Sequence, residues 1–327
     1  MSTQSIYRLK NFKHTPGVHC SSTCITNIAR FDGNAISEPM AFGLGEGIGF
    51  VFYQSDELSP ASRFNGRTSN FEEKFYQRIN CPITWQKSWS PSVIKESLQQ
   101  GRPIIAKTSL AELPYYEPAD FLGHGVLVIG LDENTQHVDI AETFSVKIQS
   151  ISISQFQRAV EPQCPPLMHS YSYASAPVME FELNAALIKG AITSTMKTFL
   201  ALDKPLEGIT AMEKAVEDIP TWQYLQDWKW HARFAYQSLE KRGTGGGNFR
   251  FMYADFLDEA SAFIPKIATL KLANEFRISA KKWQQFAGIL KTIFIEGKPE
   301  KFTAATEKLQ QIMQVEKELC QLVLKQL

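Results

Sequence analysis

HCSSTCITNIARFDG, residues 19–33, reads as a helix that opens on a thiol. Cys20 stands at its start, and Ser21 and Ser22 supply polar groups there. Ile25, Ile28 and Ala29 recur at the spacing of one helical face, and Asp32 with Gly33 ends the run. A cysteine at such a position feels the positive end of the helix dipole and nearby unpaired N–H groups, which favour the thiolate. A thiolate there can attack a carbonyl, and helix-terminal N–H groups can hold the resulting oxyanion. That chemistry needs a base.

The base is sought on a strand. GHGVLVIGLD, residues 123–132, is an apolar strand running into an Asp-Glu-Asn turn, and HVDIAET, residues 137–143, is its expected hairpin partner. His124 stands at the start of the first strand. In a papain-like fold the nucleophile helix packs against such a strand and brings cysteine and histidine together. An acid on the next strand would orient the imidazole. Glu142 fits best, with Asp132 and Asp139 as the other candidates. Each residue alone has an ordinary reading: a structural cysteine, a satisfied strand-end histidine, a solvated strand end. Their order along the chain, Cys then His then acid, favours the catalytic one. His14 lies six residues before Cys20. Papain-like enzymes commonly carry a glutamine about there that donates to the oxyanion hole, and a histidine could donate in the same way.

Other clusters are weaker. His14, His19, Cys20 and Cys24 could form a compact zinc set, since Cys-x3-Cys is an allowed spacing. However, no second ligand pair follows, and Cys24 reads better as a core residue one turn along the helix. Gly43, Gly45, Gly47 and Gly49 alternate, but a dinucleotide fingerprint needs its third glycine at position 48, where Ile48 stands. Those glycines suit close backbone approach, beside the active site if anywhere functional. GTGGGN, residues 243–248, could bind a phosphate ahead of a helix; a flexible break capped by Asn248 is the favoured reading.

The elements expected in the first half are a polar loop from Gln54 to Asn70, a helix from Ser90-Pro91 to Gly101, the strand RPIIAK and a helix opened by the capping-box pair Ser152 and Gln155. A Cys-Pro-Pro interruption at 164–166 and a strand-like VMEFEL at 178–183 follow. Beyond about residue 184 the pattern turns helical, with Trp222, Tyr224, Trp228, Trp230, Phe234 and Tyr236 expected as helix-packing core. Two domains follow from this: residues 1–184, α+β and papain-like (cysteine-protease-like), and residues 185–327, helical. No repeat of solenoid period is present.

Composition narrows the partners. Lys plus Arg equals Asp plus Glu, 34 against 34, with no dense basic run, which argues against nucleic acid. No apolar stretch approaches the roughly eighteen residues that span a bilayer. The N-terminus lacks the apolar core of a secretory signal. Five cysteines, odd in number and mostly scattered, suit a reducing compartment, so a cytoplasmic location without a membrane partner is expected. Exposed helices in the second domain could support a homodimer.

These residues carry a family resemblance over nearly the whole chain. HCSSTCITNIARFDGNAISEPMAFGLGEGIGFVFY resembles the N-terminal domain of the butirosin-biosynthesis H protein family. It has the His-Cys pair opening a helix, then Ser-Glu-x-x-x-Phe-Gly-Leu-Gly, then an aromatic strand. GHGVLVIGLD with VDIAET is similar to that family's Gly-His strand and acid-bearing strand. GTGGGNFRFMYADFLDEA resembles the helical domain, of uncharacterised role, usually found with it. The resemblance implies Cys20 as nucleophile and His124 as base, with Glu142 where an aspartate would be expected. It also implies acyl transfer from the phosphopantetheine thioester of an acyl carrier protein to the amine of a small acceptor, with no cofactor of the enzyme's own. Rival readings are a thioesterase, amidase or peptidase-like hydrolase using the same site, and a non-catalytic binding protein on a papain-like scaffold.

Overall fold

The computed structural model describes residues 5–117, 121–161 and 172–327. Its strands are β1 (Ile6–Arg8), β2 (Ile48–Gln54), β3 (Ser62–Arg67), β4 (Ile104–Thr108), β5 (His124–Asp132), β6 (His137–Ala141), β7 (Gln149–Ser152) and β8 (Tyr173–Ser175). Its α-helices are α1 (Cys20–Phe31), α2 (Glu38–Leu44), α3 (Phe71–Arg78), α4 (Pro91–Gln99), α5 (Ile153–Val160), α6 (Ala185–Leu200), α7 (Gly208–Asp218), α8 (Trp228–Glu240), α9 (Arg250–Ala260), α10 (Lys266–Thr269), α11 (Leu272–Glu296) and α12 (Phe302–Gln326). The protein is thus mixed α+β. It divides into two compact units, Met1–Ala41 with Ile79–Glu182 and Phe42–Arg78 with Leu183–Leu327.

The first unit is built on an antiparallel sheet of order β7-β6-β5-β4-β8, with β1 beside β5. Alternation along β4, β5 and β6 sends Ile104, Ala106, Val126, Val128, Val138 and Ile140 into one core. Ile94 and Leu98 of α4 and Phe156 and Val160 of α5 close over it. The capping box that starts α5 is complete, with Ser152 and Gln155 bonded reciprocally. α1 packs against β5. Gly125 makes this approach possible, because a Cβ there would lie 3.2 Å from the Cys20 carbonyl carbon and the Ser21 nitrogen. All of α1 from Cys20 to Ala29 is buried, and the Asn27 amide holds Thr15 through both its N–H and its carbonyl. Thr26 and Asn27 also bond back to carbonyls one turn earlier.

VMEFEL is not a strand. Side chains hold its Met179 backbone instead, Asn34 donating to the carbonyl at 2.6 Å and Asp32 accepting from the N–H at 2.9 Å, and just before it Arg102 donates to the Ala176 and Pro177 carbonyls at 2.9 and 2.7 Å. On the side of β4 away from β5 the ladder partner is β8, upstream of this segment. The Cys-Pro-Pro stretch at 164–166 lies outside the described residues.

The second unit comprises the helical region from Leu183 on, close to the expected division at residue 184, and also takes in 42–78, which that division placed in the first domain. The aromatic hairpin β2–β3 explains why: Phe50 stacks on Trp283 at 5.7 Å, and Phe64 on Trp222 at 6.3 Å. β3 replaces the loop expected over 54–70, since SRFNGR pairs with β2 and buries Phe64. Three of the four alternating glycines make room for further rings. A Cβ at Gly43, Gly45 or Gly47 would collide with Phe256, Phe71 or Phe42 respectively. Of the expected aromatic core residues, Trp222 and Phe234 are buried, whereas Tyr224 is 83% exposed.

GTGGGN is not a flexible break. Thr244, Gly247 and Asn248 are buried, and Asn248 and Phe249 adopt positive φ to turn the chain into α9. The Gly247 N–H is taken by the Glu240 carboxylate at 2.9 Å, which fills the place a phosphate would need. Arg250 follows, fully buried, in a bidentate pair with Glu316 at 2.7 Å on both oxygens. Its remaining donor reaches the Gly66 and Asn248 carbonyls at 2.9 Å, while Ser279 and Trp283 also donate to Glu316. No helix among the described residues is long and apolar enough to cross a membrane.

Candidate functional site

Cys20 is the first residue of α1, and His19 before it is the cap, its Nδ1 accepting from the Ser22 N–H. His124 opens β5 opposite Thr108 of β4, and its carbonyl accepts from the Thr108 hydroxyl at 2.9 Å. Leu127 pairs with Ala141 in the β5–β6 ladder, so Glu142 stands one step past the ladder, on the side of His124.

The side chains meet. His124 Nε2 donates to Glu142 Oε1 at 2.8 Å, with Oε2 at 3.0 Å. Nε2 being committed, Nδ1 is the nitrogen left for the hydrogen bond that the ring makes with the Cys20 thiol. Cys20, His124 and Glu142 are 8%, 3% and 1% exposed, so the relay runs out of water. Burial alone would disfavour a charged ring. The Cys20 and Glu142 hydrogen bonds and charges outweigh it, and the His124 pKa is pushed up to about 10. Both partners thus favour an imidazolium held between a sulfur and a carboxylate, the arrangement in which a cysteine is nucleophilic.

Glu142 is held by more than His124. Tyr116 OH donates to Oε2 at 3.0 Å, Tyr115 OH lies 3.3 Å from Oε1, and the Thr143 N–H donates to Oε2 at 2.8 Å. Burial, then the Glu142 charge, drives both phenols far above their ordinary range, so they stay protonated donors. Tyr116 also sets its ring edge-on to His124, 5.5 Å between centroids. Neither tyrosine was singled out from sequence. They sit in an irregular loop whose only signal is the Tyr-Tyr pair shortly before the Gly-His strand.

The other candidates lie elsewhere. Asp132 caps its own turn, accepting from the Asn134 and Thr135 N–H groups, and Asp139 pairs with Arg8 at 2.7 Å. His14, expected as an oxyanion donor, turns toward the acid-bearing loop: its Nε2 donates to the Glu142 and Ser145 carbonyls at 2.6 and 2.9 Å and fastens that loop. The group His14, His19, Cys20 and Cys24 is not gathered as a metal site; among the described residues no three His, Cys, Asp or Glu side chains are.

A buried cysteine at a helix start, paired with a carboxylate-held histidine on the adjoining strand, defines a class of site suited to nucleophilic acyl chemistry. Residues 19–143 match the family model described as Butirosin biosynthesis protein H, N-terminal, and residues 157–323 match that described as Domain of unknown function (DUF4872). The chain belongs to the DUF4872 family, whose model spans half of it, and carries ahead of that domain one that matches the butirosin biosynthesis protein H N-terminal model. The first match includes Cys20, His124 and Glu142 but begins after His14. No curated protein matches the chain.

Proposed function

We propose that the chain is a biosynthetic acyltransferase whose first unit is papain-like and whose nucleophile is Cys20. The thiolate adds to the carbonyl of a thioester, and the N–H at the first turn of α1 stabilises the oxyanion. The intermediate expels the donor thiol, which takes its proton from the His124 imidazolium, and the acyl group remains on Cys20. An amine then attacks this second thioester. His124 accepts the amine proton, the amide leaves, and the thiolate–imidazolium pair is restored. Glu142 holds the ring throughout.

The observation that carries this reading is the buried Cys20–His124–Glu142 relay, whose thiol and carboxylate favour the charged form of the histidine. The family adds a biosynthetic setting. A thioester on the phosphopantetheine arm of an acyl carrier protein is the donor we assign, and a small-molecule amine the acceptor.

Intact mass tests the proposal, comparing the wild type with Cys20→Ala after exposure to a panel of acyl thioesters. A gain equal to the acyl group, absent in the variant, is expected, and its discharge by amines as amide. Discharge by water alone would make the protein a hydrolase. No adduct, together with slow iodoacetamide labelling of Cys20, would refute the acyl-enzyme and leave a binding protein.

A further inference from the structure

The Ser-Glu-x-x-x-Phe-Gly-Leu-Gly motif contains a carboxylate with no part in the relay. Glu38, at the start of α2 and half-buried, accepts from residues on both sides of Cys20. His19 N–H donates to Oε1 at 2.7 Å, and Val18 N–H lies 3.0 Å from Oε2 and 3.2 Å from Oε1. The hydroxyls of Ser22 and Thr23 donate to Oε1 at 2.9 and 3.2 Å. These residues immediately precede and closely follow the nucleophile. Gly17 is packed into the same contact, since a Cβ there would fall 2.2 Å from Thr23 Oγ1 and 2.7 Å from Glu38 Oε2.

We propose that Glu38 is a positioning residue that clamps the turn carrying Cys20 and so sets both the aim of the thiol and the ease of its ionisation. The inference rests on Cys20 being the nucleophile. The clamp has two parts. Hydrogen bonds to Val18, His19, Ser22 and Thr23 fix the backbone from which the sulfur and its oxyanion donor project. The negative charge sits where the helix dipole is positive, and therefore opposes thiolate formation. His124 acts against it, as the cation paired with the sulfur. The other titratable groups around the thiol are Tyr116, Glu142 behind His124, and the cap His19.

Two variants separate the parts. Glu38→Gln keeps the shape and removes the charge. The pH midpoint of iodoacetamide alkylation of Cys20 should fall by about 0.5–1 unit, a roughly three- to tenfold gain in thiolate at a pH below the midpoint. A purely structural residue would leave the midpoint where it was. Glu38→Asp keeps the charge but withdraws the oxygens by one methylene. Acylation by a thioester needs the sulfur and oxyanion donor aligned, whereas alkylation needs only the sulfur. The ratio of the two rates should therefore drop about tenfold or more, with the alkylation midpoint unchanged. An unmoved midpoint in Glu38→Gln, or an unchanged ratio in Glu38→Asp, overturns the proposal. Loss of the fold in both variants, judged by circular dichroism, overturns it too, in favour of a carboxylate needed only for stability. Wild-type protein is measured first. If its Cys20 is neither acylated nor rapidly alkylated, it is the nucleophile assignment that has failed, and not the role of Glu38.

Discussion

Glu142→Gln removes one charge from the relay and leaves its shape. In the wild type the carboxylate touches His124 Nε2 at 2.8 Å and is 1% exposed, so solvent screens the pair little. Two unit charges about 4 Å apart at an effective dielectric of about 20 attract by about 4 kcal/mol. A hydrogen bond to a charged group is worth about 1.5–3 kcal/mol. The glutamine carbonyl still accepts from His124, so the imidazolium should lose about 2–3 kcal/mol, or about two pKa units. The sign follows from the direction of the shift. The folded-state pKa of His124 is raised to about 10, and the charged ring is lost as pH rises through that value. Acylation needs the imidazolium to protonate the departing thiol, so its alkaline limb should lie near pH 10 in the wild type and move down to about pH 8 in the variant. The assay is the initial rate of acylation of Cys20 by a simple thioester across that range, read by intact mass. Alkylation by iodoacetamide serves as control. It consumes the thiolate without a proton donor and should show no alkaline fall in either protein. An alkaline limb in the same place for both proteins would refute the idea that Glu142 sustains the charge on His124.

His14→Ala should move the same limb in the same direction by less, about half a unit to one unit, because the ring acts on Glu142 only through the carbonyls of Glu142 and Ser145. Loss of an oxyanion donor would instead lower the rate at every pH and leave the limb fixed, so one pH profile distinguishes the two roles. In the second unit, Arg250→Ala leaves Glu316 buried without its cation and should cost about 3–5 kcal/mol of stability, measured as a fall in the urea midpoint. Arg250→Ala with Glu316→Leu should recover a large part of that loss, since an absent pair costs less than a broken one.

The parts of the site legible in the sequence were those decided locally. Cys20 at a helix start and His124 at the head of an apolar strand follow from periodicity and end signals within a dozen or so residues of each. Glu142 could be ranked above Asp132 and Asp139 but not separated from them, because the choice depends on strand register, and the β5–β6 ladder shifts between Val128 and Gly130. Tyr115 and Tyr116 were invisible for a related reason: an aperiodic loop says nothing about where its side chains point. Glu38 lies inside the Ser-Glu-x-x-x-Phe-Gly-Leu-Gly motif, but its four partner residues surround Cys20, some fifteen to twenty positions away. The misread elements share another cause. GTGGGN has the composition of a linker, yet its positive-φ residues and the Glu240 carboxylate fold it into a buried turn. SRFNGR has one large apolar side chain, and only the facing strand β2 makes it a strand.

The segment before Cys20 joins these pieces. His14 fastens the Glu142 and Ser145 carbonyls, and the Gly17 N–H donates to the Thr143 carbonyl at 3.0 Å. Val18 and His19 then bind Glu38, and Cys20 begins the helix. Within seven residues the chain is bonded to the loop that carries the acid and to the carboxylate that clamps the nucleophile. The acid and the thiol are therefore placed relative to one another by main-chain hydrogen bonds and a short covalent path, while His124 is set between them by the sheet. Such a frame leaves little freedom to the long glutamate side chain, whose extra methylene would otherwise cost rotamer entropy each time the histidine is engaged. Tyr115, Tyr116 and the Thr143 N–H complete the restraint. Under the proposed function, this accounts physically for a glutamate where the family resemblance suggests an aspartate: its added reach is taken up by a carboxylate bound on every side, so the relay keeps the rigidity that a shorter acid would have had from its own side chain.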